Sequence, residues 1–306
     1  MTAAIFPTFL IIGTAKAGTT SLWWYLLQHP QICLATVKEP RFFAYEGERV
    51  NYLGPGDDKW ARETATTWET YQALFHPAPS QRAVGEASNV YLYFASKAAP
   101  RIAERIPNAK LIAILRHPVE RAYSNFLMLR GEGREPAADF RKALREEKKR
   151  LAAHWSPGWA YTGRSFYADS IATYFKSFPR AQMRFFLYED WARAPQQVLR
   201  EIFQFLEVDP FQPDMSVHHN VSVAPRSRRL AYVLHNRSRL SRTLRLFLPK
   251  AVRDSINRRL REANARRPAK LAPEVRAELL PLFQDDILRA SELIGRDLSP
   301  WLKAAV

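Results

Sequence analysis

The sequence predicts an α/β fold, with a central, mostly parallel sheet flanked by helices. Three observations carry this. Short apolar runs of strand length (residues 5–12, 109–115 and 184–189) alternate with segments of helical period. The first two runs each pass through a short polar loop straight into a helix, as strands feeding crossover helices do. A hydrophobic content of 47% over 306 residues is enough to cover both faces of such a sheet.

Residues 5–12 (IFPTFLII) are a continuous apolar run ending at Gly13, which suits a strand buried on both faces. Residues 19–28 (TTSLWWYLLQ) read as a helix closed by His29-Pro30. Residues 109–115 (AKLIAIL) form a second buried strand, after which Arg116-His117-Pro118 opens a helix with proline in its first turn. Residues 184–189 (RFFLYE) form a third strand, followed by a helix from Pro195 to Leu206. Residues 273–294 read as an amphipathic helix pair interrupted near Pro281. Residues 46–68 and 131–163 read as surface insertions, where acceptor-binding elements often sit. With no internal repeat and no low-complexity linker, residues 1–306 are expected to form one domain.

Charge narrows the partners. The chain has 46 Lys+Arg against 30 Asp+Glu, a formal +16, and a pI near 10.1. The excess is local: residues 225–270 hold 15 bases and two acids, a net +13, and the rest hold 31 bases and 28 acids, a net +3. Anionic partners are therefore expected. The single cysteine, Cys33, excludes an internal disulfide framework and multi-cysteine metal sites, and is expected in the core. The absence of a long apolar run argues against a membrane span, and the N-terminus lacks the basic start of a signal peptide. The expected location is cytoplasmic, with peripheral contact at a membrane surface through residues 225–270 as an option.

Residues 13–20 (GTAKAGTT) join the first strand to the first helix, the place for a loop whose N–H groups and helix N-terminus hold an anion. The loop is shaped like the nucleotide motif GxxxxGK[ST] but differs from it: Thr19, not Lys, follows Gly18, and the lysine is Lys16. The bland alternative is a strand-to-helix turn with a solvated lysine. A nucleoside triphosphatase or kinase also needs a carboxylate for Mg²⁺. The second strand ends in Arg116 instead, which repels a metal and attracts a phosphate; Glu189-Asp190 after the third strand leaves a metal open. Residues 116–126 (RHPVERAYSNF) place Arg116 at a strand end and Ser124 on the following helix, a forked donor and a hydroxyl suited to a second phosphate. Arg121 reads alternatively as structural, paired with nearby acids.

These motifs, in this order, resemble sulfotransferases that use 3′-phosphoadenosine 5′-phosphosulfate (PAPS), the bacterial members and the heparan sulfate branch in particular. The segments are FLIIGTAKAGTTSLWWYLLQHPQI, KEPRFFA, GEASNVYLY, PNAKLIAILRHPVERAYSNF and FPRAQMRFFLYEDW, over residues 9–191, with weaker similarity to Trp301. The resemblance implies a P-loop-like three-layer sandwich. It implies that Lys16, Ala17, Gly18, Thr19 and Thr20 hold the 5′-phosphosulfate, that Arg116 and Ser124 hold the 3′-phosphate, and that the product is adenosine 3′,5′-bisphosphate. No metal is expected. A sulfuryl group carries less charge than a terminal phosphoryl group, so lysine, hydroxyls and amides suffice.

The same resemblance gives Glu39, in a Glu-x-x-Phe-Phe pattern, the role of catalytic base beside Lys38 and Arg41; the alternative is a glutamate merely ion-paired with them. A base must lie within hydrogen-bond reach of the acceptor proton. Lys38, Arg41, Glu86 and Ser88 are candidate acceptor contacts, with Glu86 alternatively orienting Lys16 or Arg116. Ala87 stands where some heparan-branch enzymes have lysine, and Asn89 where many relatives have proline. His29, His117, His218 and His219 read as structural. Asn220–Leu230 resembles a loop that closes over the nucleotide, which makes Arg226, then Arg228, phosphate contacts.

Beyond it, Leu230, Val233, Leu234, Leu240, Leu244, Phe247 and Leu248 recur at roughly helical spacing among arginines. They read either as a core-packed helix pair or as a basic amphipathic element for anionic lipid or a polyanionic acceptor. Nucleic acid is not expected, because the block matches none of the common recognition motifs. The expected acceptor is a hydroxyl, or alternatively an amine, of an anionic glycan or a lipid-linked molecule. A P-loop kinase or nucleoside triphosphatase, and a non-catalytic membrane- or polyanion-binding protein, are the rival readings.

Overall fold

Five short strands make one parallel sheet: β1 (Phe9–Gly13), β2 (Ile32–Leu34), β3 (Ala83–Ala87), β4 (Lys110–Leu115) and β5 (Met183–Leu187), in the order β2-β3-β1-β4-β5. The computed structural model describes residues 6–216, 224–235, 255–256, 259–260, 263–266 and 269–303. Alternation along each strand sends side chains to opposite faces. Leu10 and Ile12 of β1, with Leu111, Ala113 and Leu115 of β4, enter one core. Phe9 and Ile11, with Ile112 and Ile114, enter the other. Helices Ala95–Arg105, Ala168–Ser177 and Gln284–Ile294 cover the first face. Helices Thr19–Leu26 and Pro195–Leu206 cover the second, completing the expected three layers.

The strands differ in detail from the sequence reading. Residues 6–8 precede β1, which starts at Phe9. β5 stops at Leu187, and Glu189 and Asp190 sit in the first turn of the helix Tyr188–Arg193 rather than at a strand end. The helix Pro195–Leu206 has the bounds expected, with proline in its first turn. The terminal pair is split at Pro281 into Pro273–Leu279, a 3₁₀ turn Leu280–Phe283 and Gln284–Ile294.

The segment 131–163 is not a surface decoration. Phe140, Trp159 and Tyr161 join Phe126 and Leu129 of the helix Pro118–Gly131 in a third apolar cluster. Two fully buried acids pin it. Glu135 pairs with Arg150 at 2.7 Å. Asp57, from the other insertion, accepts from the Ser156 amide at 2.7 Å and the Trp159 indole at 3.1 Å, and pairs with Arg134.

Farther along, Ala224–Pro225 pairs antiparallel with Ala265–Arg266, and the helix Arg228–His235 begins just beyond. Asn264 clasps this region: its Oδ1 accepts from the Ser227 amide at 2.7 Å and its Nδ2 donates to the Ser227 carbonyl at 3.0 Å. Val233 is 47% exposed, so this start of the basic segment is not core-packed throughout. His218, His219, Leu240, Leu244, Phe247 and Leu248 lie outside the described residues.

Candidate active site

The sheet order places a switch point at β1. The chain leaves β1 toward β2 and β3 on one side, and β4 and β5 fill the other. In open parallel sheets, ligands bind beyond the carboxyl ends of the strands at such a point. Here every strand end contributes to one cleft of about 1430 Å³: Lys16 after β1, Glu39 after β2, Asn89 after β3, Arg116 after β4 and Tyr188 after β5. Of the five non-glycine residues with positive φ among those described, three are Lys16, Glu39 and Arg41. Left-handed backbone at such residues costs free energy, and it concentrates where side-chain aim matters.

The first wall carries a lysine, hydroxyls and uncapped helix amides. Gly18, at φ 91°, turns the loop into the helix Thr19–Leu26 and provides no side-chain cap, so the first-turn amides are free of a side-chain acceptor. A β-carbon on Gly18 would sit 3.0 Å from the Trp191 ring, which closes the back of the loop. Lys16, Gly18, Thr19, Thr20 and Ser21 line the cleft. Ala17 is fully buried and does not; its amide donates to the Thr14 carbonyl at 3.3 Å, so it shapes the loop instead of facing a ligand.

Arg116 ties the two anion motifs together. Its Nη1 donates to the Lys16 carbonyl at 2.8 Å, and its guanidinium lies 4.3 Å above the Tyr188 ring. Ser124 faces the same cleft. Burial, then repulsion from Arg116, lowers the Lys16 ammonium to about 8.

Glu39 stands across the cleft. Its Oε1 accepts from Lys38 Nζ at 2.9 Å and from Asn89 Nδ2, and its Oε2 accepts from the Asn89 amide at 3.1 Å. Burial pushes this carboxyl up, but Lys38, Arg41 and Arg164 together outweigh it and hold the group below the ordinary glutamate range. Glu39 is thus ion-paired with Lys38 and also lines the cleft. Arg41 stacks 4.4 Å above the Trp60 ring, and its amide donates to Ser88 Oγ at 2.9 Å.

Several expected site residues lie elsewhere. Glu86 and Ser88 are fully buried behind the wall. Glu86 faces Tyr71, whose hydroxyl donates to it at 3.5 Å, and it contacts neither Lys16 nor Arg116. Arg226 and Arg228 do not line the cleft: the Arg226 amide donates to the Asn264 carbonyl, and Arg228 Nη1 donates to the Glu135 carbonyl at 3.3 Å. From that basic segment Lys270 lines it instead. Arg121 is structural, but it pairs with no acid among the described residues: it donates to Ser165 Oγ at 2.6 Å and to the Tyr161 carbonyl. His117 holds the Trp301 carbonyl at 2.9 Å, and His29 holds the Asp209 carbonyl at 2.9 Å. Cys33 is buried and free.

Among the described residues, no group of three or more His, Cys, Asp or Glu is arranged to hold a metal. Asp190 pairs with Arg193 at 3.1 Å and with Arg296 at 2.5 Å. The sequence reading missed Arg164, Trp60, Arg134 and Tyr188 as lining residues and Asn89 as a partner of Glu39. Asn89 had a signal, since it stands where many relatives have proline; Arg164 had none nearby.

Comparison with known proteins bears on the fold and the family. A sulfotransferase of Alicyclobacillus acidocaldarius superposes with a TM-score of 0.76 at 32% identity, covering 98% of this chain and all of that one. The membrane-associated sulfotransferase kil1 of Dictyostelium discoideum is 38% identical over 120 residues, which is 39% of this chain. The mouse bifunctional heparan sulfate N-deacetylase/N-sulfotransferase 3 is 27% identical over 318 residues, 97% of this chain. The chain spans 22% and 31% of the length of these last two relatives. Among the described residues, no helix is long and apolar enough to cross a membrane. The sulfotransferase family profile matches residues 7–213, and on that match the chain belongs to the sulfotransferase family and is an enzyme of that class.

Proposed function

We propose that this enzyme moves a sulfuryl group from PAPS to a hydroxyl of a carbohydrate or lipid-linked acceptor, an amine being the alternative nucleophile. One observation carries the reading. Two anion-binding motifs, joined by the Arg116–Lys16 hydrogen bond, face a partly buried carboxylate across one cleft. The donor's two phosphate-bearing ends suit two separate clusters. Lys16, Gly18, Thr19 and Thr20 suit the 5′-phosphosulfate, and Arg116 and Ser124 suit the 3′-phosphate. Threonine hydroxyls on a bare helix N-terminus, beside a lysine and a forked arginine from the next loop, are the chemistry that such groups need.

In this reading Glu39 accepts the acceptor's hydroxyl proton while that oxygen forms a bond to sulfur. The bond from sulfur to the 5′-phosphate oxygen breaks, and adenosine 3′,5′-bisphosphate leaves. The Lys16 ammonium meets the charge that develops on the departing oxygen. Oε2 of Glu39 keeps a lone pair beyond its bond from Asn89, so it can take that proton. An anionic acceptor suits the lining, which includes Lys59, Arg134, Arg193, Arg200 and Lys270. The human carbohydrate sulfotransferase 15, 24% identical over 269 residues, is named for a carbohydrate acceptor. Contact of residues 225–270 with a membrane surface belongs to the same proposal.

The test is transfer of radiolabelled sulfate from PAPS to a panel of desulfated glycosaminoglycans, glycolipids and small alcohols, with and without Mg²⁺. Labelled acceptor without a metal requirement is the expected result. ATP turnover that depends strictly on Mg²⁺, with no label transfer, would overturn it in favour of a kinase or nucleoside triphosphatase.

A further inference from the structure

Arg164 is a buried guanidinium that touches no carboxylate directly among the described residues, the nearest acid by charge being Glu39. It is 5% exposed, and no carboxylate among the described residues lies within ion-pair distance of it. Its Nε is buried without a hydrogen-bond partner, although the side chain lines the cleft. A buried charge held out of direct contact with its counter-charge is costly and is poor evidence for a stabilising role. The cost calls for a use.

Its contacts lead to Glu39. Arg164 Nη2 donates to Asn89 Oδ1 at 2.6 Å and to the Asn89 carbonyl at 3.3 Å. The other edge of the same amide, Nδ2, donates to Glu39 Oε1, and the Asn89 main-chain amide donates to Oε2. A carboxamide has one accepting and one donating edge. With Oδ1 committed to a guanidinium, only Nδ2 can face the carboxylate. Released from Arg164, the amide could turn and set oxygen against oxygen.

The turn carrying Arg164 is itself fixed. Glu147 accepts from the Thr162 amide at 2.8 Å and the Gly163 amide at 3.0 Å, and Ser165 Oγ donates to the Pro118 carbonyl at 3.0 Å while it receives Arg121. A site held to a fraction of an ångström needs such backing.

We propose that Arg164 is a positioning residue for Glu39, acting through Asn89 to fix the amide edge and thereby the aim of the carboxylate into the cleft. This rests on the reading of Glu39 as the proton acceptor. The charged groups around Glu39 are Lys38 on its own loop, Arg41 beyond Pro40, Arg164 across the cleft wall and Glu86 on β3 beneath. Removing Arg164 subtracts one of three cations, so the Glu39 carboxyl must become easier to protonate.

The experiment is carbon-13 NMR titration of the Glu39 carboxyl in the full chain, for wild type, Arg164→Met, Arg164→Lys, Asn89→Ala and the Asn89→Ala/Arg164→Met pair. Binding of adenosine 3′,5′-bisphosphate serves as the check of folding. Arg164→Met is expected to shift the Glu39 midpoint upward by about one pH unit, a tenfold weaker acid. Arg164→Lys, which keeps a cationic donor, is expected to shift it by less than half as much. In the Asn89→Ala background the Arg164→Met shift is expected to shrink, because part of it passes through the amide.

An unmoved Glu39 midpoint in Arg164→Met overturns the proposal, as does a full shift that persists unchanged without Asn89. If Arg164→Met fails to bind the bisphosphate, Arg164→Lys decides: a Lys variant that folds with the Glu39 midpoint moved as far as in Asn89→Ala overturns it, and one near wild type supports it. Label transfer by Glu39→Gln separates the two claims. Normal transfer there removes Glu39 as proton acceptor whatever Arg164 does, whereas loss of transfer with an unmoved midpoint in Arg164→Met removes only the role of Arg164.

Discussion

Glu86 is a fully buried glutamate in the middle of a strand, and replacing it with glutamine tests the energetics of the wall behind the cleft. Burial raises its carboxyl from 4.5 to about 8; the Tyr91 and Ser88 hydroxyls offset this in part, Glu39 adds to it, and Lys38 opposes it. The folded chain therefore keeps this proton up to about pH 8, and the unfolded chain releases it near 4.5. Between those values the unfolded state binds fewer protons, so the contribution of Glu86 to stability falls as pH rises and levels off above pH 8. At 1.36 kcal/mol per unit the full effect is about 5 kcal/mol, taken as an order of magnitude.

Glutamine keeps the shape and cannot ionise. Urea unfolding of wild type and Glu86→Gln, compared between pH 5 and pH 9, reads this group together with its coupling to Glu39 and Lys38, because titrating residues remote from it cancel in the difference. The Gln variant is expected to gain on the wild type by several kcal/mol across that range. A difference that stays constant to within about 1 kcal/mol would refute the reasoning, since it would mean that Glu86 is already ionised in the folded chain.

Two other outcomes follow from the geometry. Gly133 has φ +71°, and a β-carbon there would meet the Tyr232 amide nitrogen at 2.3 Å and the Arg228 carbonyl at 2.5 Å. Gly133→Ala is therefore expected to cost about 1–3 kcal/mol in denaturant unfolding and to speed amide exchange at residues 228–235; unchanged exchange would contradict the packing. The Lys16 ammonium, lowered by burial and by Arg116 to about 8, is expected to rise on binding an anionic donor. Bisphosphate affinity measured by calorimetry should then be greatest below pH 8 and fall as pH increases through it, and a flat profile would show that the Lys16 charge does not contribute.

The two strand-to-helix loops proposed to hold the donor were readable in the sequence as local structure, because each is contiguous. Gly13–Thr20 and Arg116–Ser124 each carry their own strand end, loop and helix start, so local order reports spatial order. The helix Pro195–Leu206 was equally plain, with proline in its first turn and an apolar face. β2 and β3 were not anticipated. β2 has three residues, and β3 reads Ala-Val-Gly-Glu-Ala, which breaks the apolar pattern twice. Both breaks have physical reasons: a β-carbon on Gly85 would strike the Phe9 ring at 2.5 Å, and Glu86 is buried with a raised carboxyl.

The surroundings of Glu39 were harder to read for a different reason. Arg164 and Asn89 lie 75 residues apart, and their relation to Glu39 arises only when the sheet assembles. The insertion 131–163 misled for the same reason. Its many charges read as surface, yet Glu135 and Arg150 pair with each other inside the third cluster.

The central claim is that the two anion motifs hold a single donor nucleotide. Calorimetric titration with adenosine 3′,5′-bisphosphate, in the presence of a chelator, tests it most directly. One site per chain is expected, weakened at least about tenfold in Arg116→Ala, since a charged hydrogen-bond donor lost from a buried contact costs about 1.5–3 kcal/mol. No binding by the wild type, or equal binding by Arg116→Ala, would contradict it.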